Sequence, residues 1–259
     1  MSSARTDPIP AAQPDPARAG PAAGQPAIPA RWTLLAGVTG PVLLAAYFII
    51  PLLTGWPSPA ESAAKLAAYA TAHRLLFYLG GWLQATGALL SVVFVLVLLQ
   101  RSGARRTLAG AATLTGCALL LSVVVIEAAM LEAVPIAAAN GDQATVATGF
   151  ALSNGVFTRV YPLAPAPLLF AGIGFALYQT GILPRLFART AVLIAGLFLI
   201  AGLAAVFGTA GLTFATVMSV AEALWIPAAA IAFARTGGII SPAASSAAGS
   251  QATQLTGKG

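Results

Sequence analysis

The chain has 259 residues, of which 58% are hydrophobic and only 8% charged, and it carries a net charge of +6. A water-soluble domain holds roughly a quarter charged residues, so this composition excludes an ordinary soluble fold and points to a chain solvated by lipid. The eleven Arg and two Lys are scattered and form no basic stripe, which excludes nucleic acid as the partner that the positive charge serves.

Residues 1–30 are rich in Pro and Ala, offer little to bury and contain no apolar h-region. They read as a disordered tail and not as a cleaved signal peptide. Six apolar stretches follow, Thr33–Leu53, Leu75–Leu99, Leu108–Met130, Leu163–Thr180, Thr190–Gly208 and Leu212–Ala234. A helix of about 20 apolar residues crosses the roughly 30 Å hydrocarbon core of a bilayer, and helices satisfy their own backbone groups in lipid. The expected fold is therefore all-α, a polytopic membrane bundle of six transmembrane helices over residues 31–235, with the first span acting as an uncleaved signal-anchor. Residues 236–259 are rich in Ser, Ala and Gly and read as a second tail; Gly257-Lys258 lacks the glycine spacing and flanking elements of a phosphate loop.

Charge orients the bundle. Arg31, Arg101, Arg105, Arg106, Arg185, Arg189 and Arg235 fall on one side, and Lys65, Arg74 and Arg159 on the other. The positive-inside rule then places both termini in the cytoplasm. Trp32 and Tyr178 mark inner ends, and Trp56, Trp82 and Tyr161 mark outer ends, as an aromatic belt would.

The outer links carry structure of their own. Ser58-Pro59-Ala60-Glu61 has capping-box spacing with Pro at the first helical position. It predicts a helix through Ala63, Leu66, Ala67 and Ala70 towards His73-Arg74, lying at the interface or running on into span two. The second outer segment opens at Pro135 and turns at Asn140-Gly141-Asp142. It carries Val146, Phe150, Phe157 and Val160 at helical spacing and is broken by Pro162, Pro165 and Pro167. Its size suits a cap over the outer mouth of the bundle.

Polar residues are few, which narrows the chemistry. One histidine, His73, cannot supply the paired ligands of a b-type haem, and one cysteine, Cys117, forms neither a disulfide nor a CxxC pair. No clustered Cys/His set supports a metal site, and no cofactor is expected. Cys117 reads as a small apolar filler, and His73 as an interfacial polar residue.

Glu222 falls at the centre of span six, where an acid costs about 2.5–3.5 kcal/mol on insertion scales. It must face the bundle interior, a wet pocket or a partner, or be protonated. Ser219 and Trp225 share its helix face, and Pro227 removes the helical partner of the Ala223 carbonyl. A polar pocket of Glu222, Trp225, Gln84 and Ser219 is the expected binding site, against the plainer reading of a protonated Glu bonded to a neighbouring helix. Glu127 and Glu132 are five residues apart and point about 140° from each other on one helix, so they are no glycosidase pair. Glu127 lies about 28 Å along span three and reads as interfacial, offset from Glu222 by roughly 13 Å. Arg159 is the expected ion-pair partner of Glu127 or Glu132 at the outer mouth. Gly81/Ala85 and Ala112/Gly116 are small-residue pairs that let helices approach closely.

The stretch Ala63-Ala64-Lys65-Leu66-Ala67-Ala68-Tyr69 to His73-Arg74-Leu75, followed by an apolar span with Gly80-Gly81, resembles the first outer loop of small six-helix bacterial membrane proteins grouped as a domain of unknown function. The resemblance extends over about Trp32–Arg235. It implies six helices and no assigned activity, and it carries no functional residue over. The preference for Arg over Lys, with abundant Ala, Gly and Pro, suits a high-GC, actinobacterial-type genome.

The reading that follows is a multi-pass protein of a bacterial plasma membrane, surrounded by membrane lipids. Its first expected role is to bind or translocate a small solute or lipid near Glu222. Its alternative is an accessory subunit docked on another membrane protein. A membrane enzyme ranks last, because no nucleophile–base pair appears.

Overall fold

The computed structural model describes residues 30–58, 60–207 and 209–237. Among these the regular structure is helical: α1 (Ala30–Thr54), α2 (Ala63–Ala72), α3 (Arg74–Arg101), α4 (Leu108–Ala139), α5 (Gln143–Gly155), α6 (Tyr161–Leu163), α7 (Pro165–Thr180), α8 (Arg185–Ala204) and α9 (Thr209–Gly237). Among the described residues six segments are long and apolar enough to cross a membrane, which supports a multi-pass membrane protein. Large apolar side chains such as Leu89, Val125, Leu193, Ile200 and Leu224 stand exposed on their outer faces, an arrangement that lipid tolerates and water does not. Of the tails expected over residues 1–30 and 236–259, Ala30 falls in α1 and Thr236 and Gly237 in α9; the rest lie outside the described residues.

The long helices form a closed ring. α1 packs on α3, α3 on α4, α4 on α7, α7 on α8, α8 on α9, and α9 returns to α1. Between lipid-solvated helices the attraction is close packing, so small residues sit at the seams. A Cβ on Gly87 would lie 2.8 Å from the Gly40 carbonyl oxygen, and one on Gly116 only 2.4 Å from the Leu169 backbone nitrogen. Gly116 and Gly81, read in the sequence as approach points, thus meet α7 and Ala128 of α4. Phe94, Phe170, Phe198, Ile173 and Leu177 fill the main core, where Cys117 is also buried.

Several boundaries differ from the sequence expectation. α4 does not stop at Pro135 but runs through it to Ala139. Pro135 lacks only the N–H that would bond Leu131, and packing on the buried Val134 and Ala137 keeps the helix intact. At 1.5 Å per residue its 32 residues reach about 48 Å, well beyond one bilayer core. α5 then folds back along α4 and also touches α2. The cap of α2 is Ser62, whose hydroxyl accepts from the Lys65 N–H, and not Ser58, which only accepts from Ala60. Glu61 pairs with Lys65 at 2.8 Å instead of closing a capping box; the Pro59 expectation lies outside the described residues. α2 does not run on into α3: the chain bends at His73, whose ring lies 4.4 Å from that of Tyr69. α8 begins at Arg185, earlier than the expected Thr190.

A second, smaller core sits beneath α2 and α5. Leu66, Phe77, Leu131, Val146 and Phe150 are buried there, with Trp56 in tilted contact with Phe150 and Phe77. Trp56 is thus part of a packed cap. Tyr69 joins it and shares a 2.6 Å hydrogen bond with the Thr54 hydroxyl. Burial pushes the Tyr69 phenol up, against the lowering effect of Thr54.

Candidate functional site

The ring encloses a cavity of about 60 Å³. A site of roughly 10–15 Å³ holds one water, so this space takes several waters or a small organic group. Pro41, Leu44 and Phe48 of α1, Gln84, Ser91 and Val95 of α3, Leu120, Val124 and Glu127 of α4, and Ser219, Glu222 and Ile226 of α9 line it, with Phe157 and Tyr161 from the link before α7. Its wall is mostly aliphatic and aromatic, and both membrane-embedded carboxyls open onto it. Among the described residues no Lys, Arg or His lines it.

Glu127 is the best-held polar group. It is 4% exposed and accepts from three donors. Gln84 Nε2 donates to Oε2 at 2.6 Å, and Ser153 Oγ and Tyr47 OH donate to Oε1 at 3.1 and 3.4 Å. The interfacial reading of Glu127 is therefore corrected. α5 lies over the outer half of α4 and brings Ser153 onto the carboxyl, so a position that sequence length alone puts near water is covered by protein. Glu132 points the other way and is exposed, as the 140° offset requires. Arg159 is exposed as well and forms no ion pair with Glu127 or Glu132 among the described residues; the described ion pair is Lys65–Glu61. The expected outer-mouth pair is thus absent there, because Arg159 sits on a different turn of the link, turned to the outside.

Glu222 is 7% exposed and accepts from Tyr161 OH. The sequence grouped Tyr161 with the aromatic belt, but its ring packs edge-on to Phe198 inside the bundle. Its position comes from the broken backbone before α7. Val156–Val160 forms one wide π-type turn, α6 adds three residues, and Ala164 departs from helical geometry at φ −133°, ψ −60°. Such turns shift the register of side chains and recur at functional sites. Pro162, Pro165 and Pro167 make the break, since none can donate to the preceding turn.

Of the expected pocket, Glu222, Gln84 and Ser219 meet at the cavity, although the Ser219 hydroxyl is spent on the Ala215 carbonyl. Trp225 does not line it. Its indole N–H donates to Thr190 Oγ1 at 3.0 Å and to the Phe187 carbonyl at 3.3 Å, tying α9 to α8. Trp225 lies three residues past Glu222, about 300° around the helix, which turns it onto α8. Ala223, whose carbonyl has no Pro227 N–H to bond, does line the cavity. Tyr47, Ser153 and Tyr161 are the polar residues the sequence reading missed. Ser153 was findable: it continues the Val146–Phe150 face at i+3.

Gln84 carries the most telling detail. It is 6% exposed, its amide nitrogen is committed to Glu127, and its carbonyl oxygen Oε1 is buried with no hydrogen-bond partner among the described residues. Buried acceptors are rarely left so. No group of three or more metal-ligating side chains occurs among the described residues.

Fold and site together define a class, a polytopic helical membrane protein with an acidic, largely apolar internal cavity. Comparison with protein-family models, with curated proteins and with solved structures returns no match.

Proposed function

We propose that this protein binds a small solute or lipid in the cavity between α1, α3, α4 and α9 and moves it across a bacterial plasma membrane, with both termini in the cytoplasm. The observation that carries the reading is the convergence of Glu127, Glu222 and Gln84 on one internal cavity. Ionisable groups within a bilayer are costly and mark substrate or ion paths by default. The π-type turn before α7 supplies irregular backbone of the kind found where helices line such a path, and Pro227 leaves the Ala223 carbonyl at the cavity without its helical donor. The orientation rests on the distribution of Arg, and the membrane on the resemblance and the composition.

The test is the stability of purified Glu222→Gln in detergent from roughly pH 5 to 8, the range in which a buried acid would show linkage. A functional site held at a cost to the fold predicts a variant as stable as the parent, or more so, with its pH dependence flattened. A variant that melts far earlier makes Glu222 a structural strut, and the accessory-subunit reading then replaces this one.

A further inference from the structure

We propose that the ligand of this cavity is a small protonated amine, with its ammonium group held between the two carboxyls and Gln84 and its apolar part against the aliphatic and aromatic wall. The inference rests on the binding reading above and names its substrate class.

Three observations converge on it. Glu127 and Glu222 bring two acids to one cavity, and no basic side chain among the described residues lines that cavity. A buried carboxyl without a counter-charge is costly, and a cationic ligand supplies that charge. Next, Gln84 Oε1 is a buried acceptor without a donor among the described residues. Its own N–H₂ is fixed on Glu127, so the amide stays oriented with its oxygen free. An ammonium offers three N–H donors, enough for this oxygen, for the Glu222 oxygen not bonded to Tyr161 and for a remaining lone pair of Glu127 beside those taken by Gln84, Ser153 and Tyr47. Finally, Phe48 and Phe157 pack with ring centroids 5.4 Å apart in the same wall. Aromatic faces attract cations, and an alkyl chain is at home among them. A carboxylate ligand would meet two acids and no base. An alcohol brings one donor and no charge.

The test uses the full chain in nanodiscs of neutral lipid and measures binding of n-butylammonium, n-butanol and butyrate by calorimetry. The ammonium is expected to bind at least about tenfold more tightly than the alcohol, a difference of about 1.4 kcal/mol, with butyrate not binding. Gln84→Leu, which roughly keeps the shape and removes the free acceptor together with the N–H₂ bonded to Glu127, is expected to weaken the ammonium more than the alcohol. The wild-type probe series decides the matter even if this variant fails to fold. If butanol or butyrate binds as well as the ammonium, the amine assignment is overturned while the pocket stands. If none of the three binds to folded protein, the amine assignment and the binding reading fall together.

Discussion

Tyr161 and Glu222 stand 61 positions apart in the chain and are joined by a hydrogen bond from phenol to carboxyl. The bond links the broken segment before α7 to the middle of α9, so the least regular stretch among the described spanning segments is fastened to a continuous helix. Tyr161→Phe keeps the ring against Phe198 and removes the donor. Interhelical hydrogen bonds in membranes average about 0.6 and reach about 1.7 kcal/mol, and a loss in that range is expected in thermal or denaturant unfolding. In a double-mutant cycle with Glu222→Leu, which removes the acceptor, most of that loss should appear as coupling between the two sites. Additive effects would mean that the bond contributes nothing.

Trp225 separates structure from site. Trp225→Phe retains an aromatic ring beside Phe170 and Phe187 and loses the donor to Thr190 and the Phe187 carbonyl. A destabilisation of about 1 kcal/mol is expected, with ligand binding in the cavity unchanged, because the indole does not reach it. Calorimetric binding beside a melting curve checks both halves.

The seams should be sensitive to single methyl groups, and the lipid face should not. At Gly116 a new Cβ would press on the Leu169 backbone, which has no flexible end to move aside. Gly116→Ala or Gly116→Val is expected to cost about 1–3 kcal/mol by overpacking α4 against α7. Gly196 in α8 has nothing within 4 Å of its would-be Cβ. Gly196→Ala should be neutral or stabilising by up to about 1 kcal/mol, the helix propensity difference. Melting temperatures of the pair, taken in one detergent, make the comparison.

Outside the membrane, Asp142 caps α5. Its carboxyl accepts from the Thr145 hydroxyl at 2.5 Å and from the Thr145 N–H at 3.0 Å, and these bonds hold it below the usual carboxylate range. A depressed folded-state value contributes stability above the unfolded value, and that contribution is lost as pH falls through the folded one. The α4–α5 hairpin should therefore loosen in acid and not in base. Asp142→Asn, still a good cap, should remove that acid sensitivity, whereas Asp142→Ala should loosen the hairpin at every pH. Amide exchange across Gln143–Gly155 reads the effect.

The six spanning segments were legible because lipid imposes one rule, length and apolarity, that a sequence states directly. Glu222 was legible for the same reason: a charge at mid-span must be explained. Glu127 was not. Its depth was judged from its place along α4, and that judgement is sound for a bare helix, but α5 lies over it and carries Ser153 into contact. Which segment folds back over which is decided by side-chain fit, here Val146 and Phe150 against Phe77 and Leu131, and periodicity alone does not report fit. Tyr161 was hidden in the same way. An aromatic residue near a span end reads as a belt residue unless the π-type turn that swings it inward is known. Arg159 and Glu132 show the converse error, since opposite charges assigned to the same outer mouth were taken for neighbours in space.

The closed ring has a consequence for the order in which the protein comes into being. Five of its six junctions join one spanning segment to the next in the chain, so each can form as soon as both have been synthesised. The sixth, α9 on α1, joins first to last, and α9 also delivers Glu222. Until that final helix arrives, what will be the cavity is a groove with Glu127 already tethered by Gln84 and Ser153. The last acid therefore enters the membrane with its hydroxyl partner, Tyr161, already waiting for it.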